Sequence, residues 1–94
     1  MAQPDLRALQ VFNEICKTRS VSKAAANLDM GQPAVSVTLA KLREQFRDPL
    51  FVRVGNQMSP TPFAESLAAM VTAALGAVQQ VYGHQTSFDP ATAV

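Results

Sequence analysis

From Ser20 to Phe46 the chain reads SVSKAAANLDMGQPAVSVTLAKLREQF, and the spacing in this segment admits few folds. Val35, Leu39, Leu42 and Phe46 recur at intervals of four, three and four, which on a 3.6-residue helix draws a single apolar stripe. Pro33 falls in the first turn of that helix, where its missing N–H has no intrahelical partner to lose. Just before it, Asp29-Met30-Gly31 reads as a turn: Asp tolerates left-handed backbone, and Gly31 is expected to free the chain for a sharp entry into the next helix. A shorter helix ending near Leu28, with Ser22 as its expected N-cap, precedes the turn. It carries Ala24, Ala25 and Ala26, small side chains that let a second helix approach closely, with Val35 and Leu39 facing them. Two short helices joined by a tight turn form a helix-turn-helix, the unit that sets its second helix into the major groove of DNA. Gln32, Ser36, Thr38 and Lys41 lie on the face opposite the stripe, where groove contacts would be made.

The flanking sequence completes a small, mainly helical domain. A first helix is expected from about Asp5, as N-cap after Pro4, to Thr18, with Leu6, Leu9, Phe12 and Cys16 on its apolar side helped by Val11 and Ile15. After Arg47-Asp48-Pro49 the period shortens to Leu50-Phe51-Val52-Arg53-Val54, then Gly55-Asn56-Gln57, then Met58-Ser59, the pattern of a β-hairpin over about 50–59. Behind a helix-turn-helix such a hairpin is a wing, able to touch phosphate or the minor groove, and Arg53 is its only cation. Thr61 is placed to cap a final helix with Pro62 at its first position, running to about Tyr82 before Gly83 stops it.

That last helix is apolar on more than one side. Ala64, Ala68, Val71, Leu75, Val78 and Tyr82 make one stripe, and Phe63, Leu67, Met70, Ala74 and Val81 a second beside it. One stripe can cover the core, and the other calls for a partner helix. Val71, Leu75, Val78 and Tyr82 are the expected dimerisation residues. The expected division is therefore a winged helix-turn-helix over 1–61, a linker and dimerisation helix over 62–83, and the start of a hinge over 84–94.

Charge is segregated in a way the net value of +1 hides. Between Lys17 and Arg53 seven basic residues (Lys17, Arg19, Lys23, Lys41, Arg43, Arg47, Arg53) face three acidic ones (Asp29, Glu44, Asp48), a local excess of four. A phosphate-facing surface has to be built from this middle segment. With 94 residues the chain makes one small domain with a modest core, which again favours an oligomer. Cys16, the single cysteine, cannot form an intrachain disulfide and reads as a buried structural thiol. The N-terminus has no secretory pattern, and the apolar run Leu67 to Val78 is too short to cross a bilayer, so a cytoplasmic location is expected.

Two other classes of function compete. Enzymatic chemistry finds little support, since His84 is the only histidine and there is no Gly-rich phosphate loop or set of metal ligands, so no catalytic residue, metal or cofactor is expected. A helical protein–protein interaction module without DNA binding would account for the second apolar stripe, but not for the basic segregation or the Gln-Pro-Ala-Val-Ser pattern.

The run AAANLDMGQPAVSVTLAKLREQFRDPLFVRVGNQMSPTP resembles the N-terminal DNA-binding domain of LysR-type transcriptional regulators. Ala-Ala then Leu, Gln-Pro-Ala-Val-Ser, Leu-Arg, Pro-Leu-Phe-x-Arg and Thr-Pro occur in the order and spacing of that family. The resemblance implies a winged helix-turn-helix of bacterial origin that binds double-stranded DNA and dimerises through its linker helix. It also implies a following domain, missing here, that binds a small-molecule inducer. Pro-Leu-Phe-Val-Arg and the Phe-Asp-Pro tail look most like the branch of nodulation and aromatic-catabolism regulators, which implies an aromatic inducer. Carried over by position, Gln32, Pro33 and Ser36 match the family's groove-facing residues and Arg53 its wing arginine. Ser22, Val37, Lys41 and Arg43 complete the expected DNA-binding set. Two departures stand out: Gly31 replaces a usual Ser, and Val37 replaces a frequent basic residue, with a thymine methyl as its possible contact.

Overall fold

Left-handed residues punctuate the helical part of this chain, in a computed structural model that describes residues 4–87. Helix α1 (Leu6–Thr18) begins at Asp5, whose carboxylate accepts the Ala8 N–H at 2.8 Å, and ends at Arg19, left-handed at φ 59°, whose N–H returns to the Ile15 carbonyl. That reversal leaves Ser20 as the first extended residue, so Ser20 caps α2 (Val21–Asn27) by accepting the Lys23 N–H at 3.1 Å. The cap thus falls two residues before the expected Ser22, which lies in the first turn, exposed, with its Oγ 3.1 Å from that of Ser20.

Asp29 takes the left-handed turn after α2 at φ 55°, as its residue type favours. Gly31 does not behave as expected. It is the N-cap of α3 (Gln32–Phe46) at φ −70° and ψ 144°, an extended conformation open to any residue, and it supplies no side-chain cap. Val35, Leu39 and Leu42 of α3 are buried. Ala24 and Ala25 of α2 are buried as well, whereas Ala26 faces outward because three consecutive residues fan over about 200° of a helix and cannot all point inward.

Strands β1 (Phe51–Val54) and β2 (Gln57–Pro60) pair antiparallel, Phe51 opposite Pro60 and Val54 opposite Gln57. Gly55, at φ 62°, takes the first central position of the turn, where a two-residue hairpin needs left-handed backbone. The hairpin is anchored from both sides. Phe51 packs on Phe12 with ring centroids 5.5 Å apart, and the Met58 N–H donates to the Arg19 carbonyl at 2.9 Å.

Helix α4 (Pro62–Ser87) starts under Thr61, whose hydroxyl accepts the Ala64 N–H at 3.1 Å. It passes the stop expected at Gly83. A glycine ends a helix by going left-handed, and among the described glycines only Gly55 has positive φ, so Gly83 stays helical at a cost of about 1 kcal/mol relative to alanine. The expected hinge over 84–94 is thus helical through Ser87, and its remainder lies outside the described residues. Ala64 and Val71 close the core from the α4 side, with Leu67, Ala68 and Leu75 partly buried against it. The architecture is mainly helical, three helices and a two-stranded wing followed by one long helix.

A Cβ at position 31 would meet only the Pro33 Cδ at 3.8 Å, an ordinary contact. Gly31→Ser is accordingly expected to stabilise the domain by about 0.5–1 kcal/mol, through a new N-cap and a less flexible unfolded chain. Thermal melting checks this; an unchanged or lower Tm would show that glycine is required there.

Candidate nucleic-acid interface

The outward face of α3 is assembled by default, because the opposite face is committed to the core. Gln32, Pro33, Ser36, Val37 and Lys41 are all exposed along it, as the sequence led one to expect, while Thr38 is half-buried. Residues four apart on a helix are neighbours, so Gln32 stands beside Ser36, and Val37 lies between Pro33 and Lys41. Arg53 is exposed on β1, and Ser22 on the first turn of α2.

Arg43 is placed differently from the rest of the expected set. Its guanidinium turns into the wing entry, Nε donating to the Pro49 carbonyl at 2.7 Å and a terminal nitrogen to the Phe51 carbonyl at 3.1 Å. A half-buried fork donating to two backbone carbonyls is a structural clamp, and it leaves Lys41, Arg47 and Arg53 as the exposed cations of this segment. Asp48 works from the other side. Its carboxylate accepts the Leu50 N–H at 2.8 Å and the Thr61 hydroxyl at 2.7 Å. Between them Leu50, fully buried, is held left-handed at φ 64° with the Phe51 N–H bonded back to the Pro49 carbonyl. A leucine there is strained by about 1–3 kcal/mol, and the two side chains explain why the turn persists. Nothing in the local sequence pattern marks this clamp, since Arg-x-x-x-x-Asp on a helix end also fits an ordinary solvated face.

Other charged groups are used up nearby. Arg7 donates to the Leu28 carbonyl at 3.0 Å and to Gln10, tying α1 to the end of α2, and Lys17 stands 3.9 Å from Glu14. Cys16 is half-buried against the core, and burial pushes its thiol up to about 11, with Arg19 opposing weakly. It is held as a neutral thiol. Among the described residues no group of His, Cys, Asp and Glu is placed to hold a metal ion, and no helix is long and apolar enough to cross a membrane.

The expected dimerisation set divides. Val71 is only 4 % exposed, packed into this chain's own core, and Leu75 is partly buried beside it. The reason is register: the stripe begun by Ala64 is the one that closes the domain. Val78 and Tyr82 lie farther along, where α4 and α1 flank an open groove lined also by Gln10, Asn13 and Thr72. Phe63, Met70, Ala74 and Val81 of the second stripe are exposed, whereas Leu67 is partly buried.

Residues 6–65 match the pattern described as "Bacterial regulatory helix-turn-helix protein, lysR family". The chain belongs to the LysR family. Among its relatives is the HTH-type transcriptional activator NahR of Pseudomonas putida, 49 % identical over 88 residues, which cover 94 % of this chain and 29 % of NahR. A probable transcriptional regulator of Pseudomonas aeruginosa, PA0477, superposes with a TM-score of 0.78 at 45 % identity, over 81 % of this chain and 26 % of that one. The BenM DBD, solved with benA site 1 DNA, superposes with a TM-score of 0.80 at 25 % identity, over 90 % of this chain and 99 % of the BenM one. The chain therefore spans less than a third of the length of NahR, and nearly the whole of a LysR-family domain seen on DNA.

Replacing Arg43 with Met keeps the stem and deletes the clamp. We expect Arg43→Met to lower stability by about 1–3 kcal/mol in urea titration, because two wing carbonyls lose a charged donor. Lys41→Met, on the exposed face, should stay within about 0.5 kcal/mol of the parent. Equal losses would mean that the Arg43 contacts carry no weight.

Proposed function

We propose that this LysR-family chain binds double-stranded DNA sequence-specifically as a homodimer. In this reading the face of α3 opposite the core enters the major groove and the wing touches backbone or minor groove. The observation that carries it is the exposed run Gln32, Pro33, Ser36, Val37 and Lys41 on a helix whose other face is locked into the core. The benA site 1 complex of the BenM DBD lends support, since this chain covers nearly all of that domain. Gln32 and Ser36 would contact base edges; Ser22, Lys41 and Arg53 would approach phosphates, joined by the exposed Lys23 and Arg47. Arg43 would act indirectly, by holding the wing.

The partner would pair through α4. Val71 belongs to the core, so the seam assigned here is the groove side at Leu75, Val78 and Tyr82. An inducer, if one acts on the longer regulator, is assigned to a further domain and not to this chain.

Selection of bound duplexes from a random pool, followed by a salt titration, tests the reading. An interrupted palindrome whose affinity falls steeply with salt is expected, because Lys and Arg displace condensed counterions. A protein-only interaction module would retain no duplex even in dilute buffer. Gln32→Ala is expected to cut discrimination between the selected site and mutated sites by about 1–3 kcal/mol, whereas Arg53→Ala should weaken all sequences alike. An unchanged specificity ratio in Gln32→Ala would remove Gln32 from the reading face.

Val78→Glu and Val71→Glu separate seam from core. Val78→Glu should sediment as a folded monomer, because it buries a charge only when the partner docks; Val71→Glu should unfold the domain. A dimeric Val78→Glu would place the interface on the stripe of Met70 and Val81.

A further inference from the structure

Successive residues of an α-helix point about 100° apart, so the core-facing residues of α3 also fix where every other side chain points. Val35, Leu39, Leu42 and Phe46 define the inward direction. The pole opposite them falls within roughly 10° of Val37 and of Glu44, with Pro33 about 30° and Ala40 about 50° away. Ser36 and Gln32 lie a quarter-turn or more to one flank, and Lys41 about 50° to the other. Glu44 belongs to the C-terminal turns, whereas a recognition helix reaches bases with its N-terminal turns. At the level of the bases, then, the side chain aimed most directly away from the core is a branched hydrocarbon, and Val37 is 54 % exposed.

That placement has no folding rationale. A β-branched residue is a weaker helix former than alanine, and Val37 leaves about half of itself exposed in the free chain. In the major groove one base-edge feature is apolar, the C5-methyl of thymine. Resting on the DNA-binding reading above, we propose that Val37 is a specificity determinant that packs on the C5-methyl of a pyrimidine. Pro33 and Ala40, both exposed, complete an apolar strip around it. Hydrogen bonding is then left to Gln32 and Ser36 on the flank, so each half-site is read by two kinds of contact side by side. The expected consequence is one methyl-dependent position in each half-site.

The test uses the duplex selected from the random pool. Each thymine is replaced singly by uracil, which removes the methyl and keeps every hydrogen-bonding edge. At one thymine of each half-site the replacement should weaken binding about fourfold, the effect of one lost buried methyl group, with no change elsewhere. Val37→Ala should fold as well as the parent by circular dichroism and melting, because alanine is the better helix former at an exposed site. It should bind the thymine duplex several-fold more weakly and treat thymine and uracil alike at that position, while keeping the discrimination that depends on Gln32. If every thymine can be exchanged without loss, or if the uracil penalty survives in Val37→Ala, the inference is overturned and DNA binding stands. A pool that yields no bound duplex overturns both.

Discussion

The roll of α3 about its own axis is the constraint on which the rest depends. Val35 and Leu42 are completely buried and Leu39 nearly so, packed in one core with Phe12 and Ile15 of α1 and the alanines of α2. Each such aliphatic side chain contributes about 1.5–3 kcal/mol when withdrawn from water. Rolling the helix by one residue would bury Gln32 or Ser36 and expose part of this stripe, a loss no surface contact offsets. Orientation of the polar and apolar groups on the far face is therefore a by-product of hydrophobic burial. The candidate reading face needs no positioning network of its own, which is consistent with its side chains being simply exposed.

The wing is held by a different kind of force. Phe51 reaches the same core through Phe12, but the chain must first turn sharply at Leu50, and that turn is kept by polar groups: the Arg43 fork on two carbonyls and the Asp48 carboxylate on the Leu50 N–H. Thr61 links the arrangement onward, since its hydroxyl donates to Asp48 while accepting from the first turn of α4. One small cluster thus connects the end of α3, the wing and the start of the long helix.

Much of the fold was legible in the sequence because it is written in periodicity. The four-three-four spacing of α3, Pro33 in its first turn, the Asp5 and Thr61 caps and the Gly55 turn all appear where the pattern put them. The differences have local physical causes. Ser20 and Ser22 are equivalent by residue type, and only the left-handed Arg19 decides between them. Gly83 can stop a helix or be tolerated within one, and α4 tolerates it. Two parallel stripes on α4 look alike as sequence, and the three-dimensional choice of Ala64 and Val71 as the buried one put Val71 in the core. Arg43 was invisible as a clamp because its acceptors are backbone carbonyls, which no side-chain pattern records.

The molecule that emerges is a LysR-family domain whose candidate reading face mixes hydrogen-bonding and hydrocarbon groups, with few exposed cations to reinforce it. The claim underlying this account is that the pole of α3 opposite the core lies in the major groove. Dimethyl sulfate footprinting on a selected duplex tests it most directly, because the reagent attacks guanine N7 in the major groove and adenine N3 in the minor. Protection of guanine N7 in two patches separated by about one helical turn, or a multiple of it, is the predicted result. Bound duplex with every guanine N7 as reactive as in free DNA would contradict it.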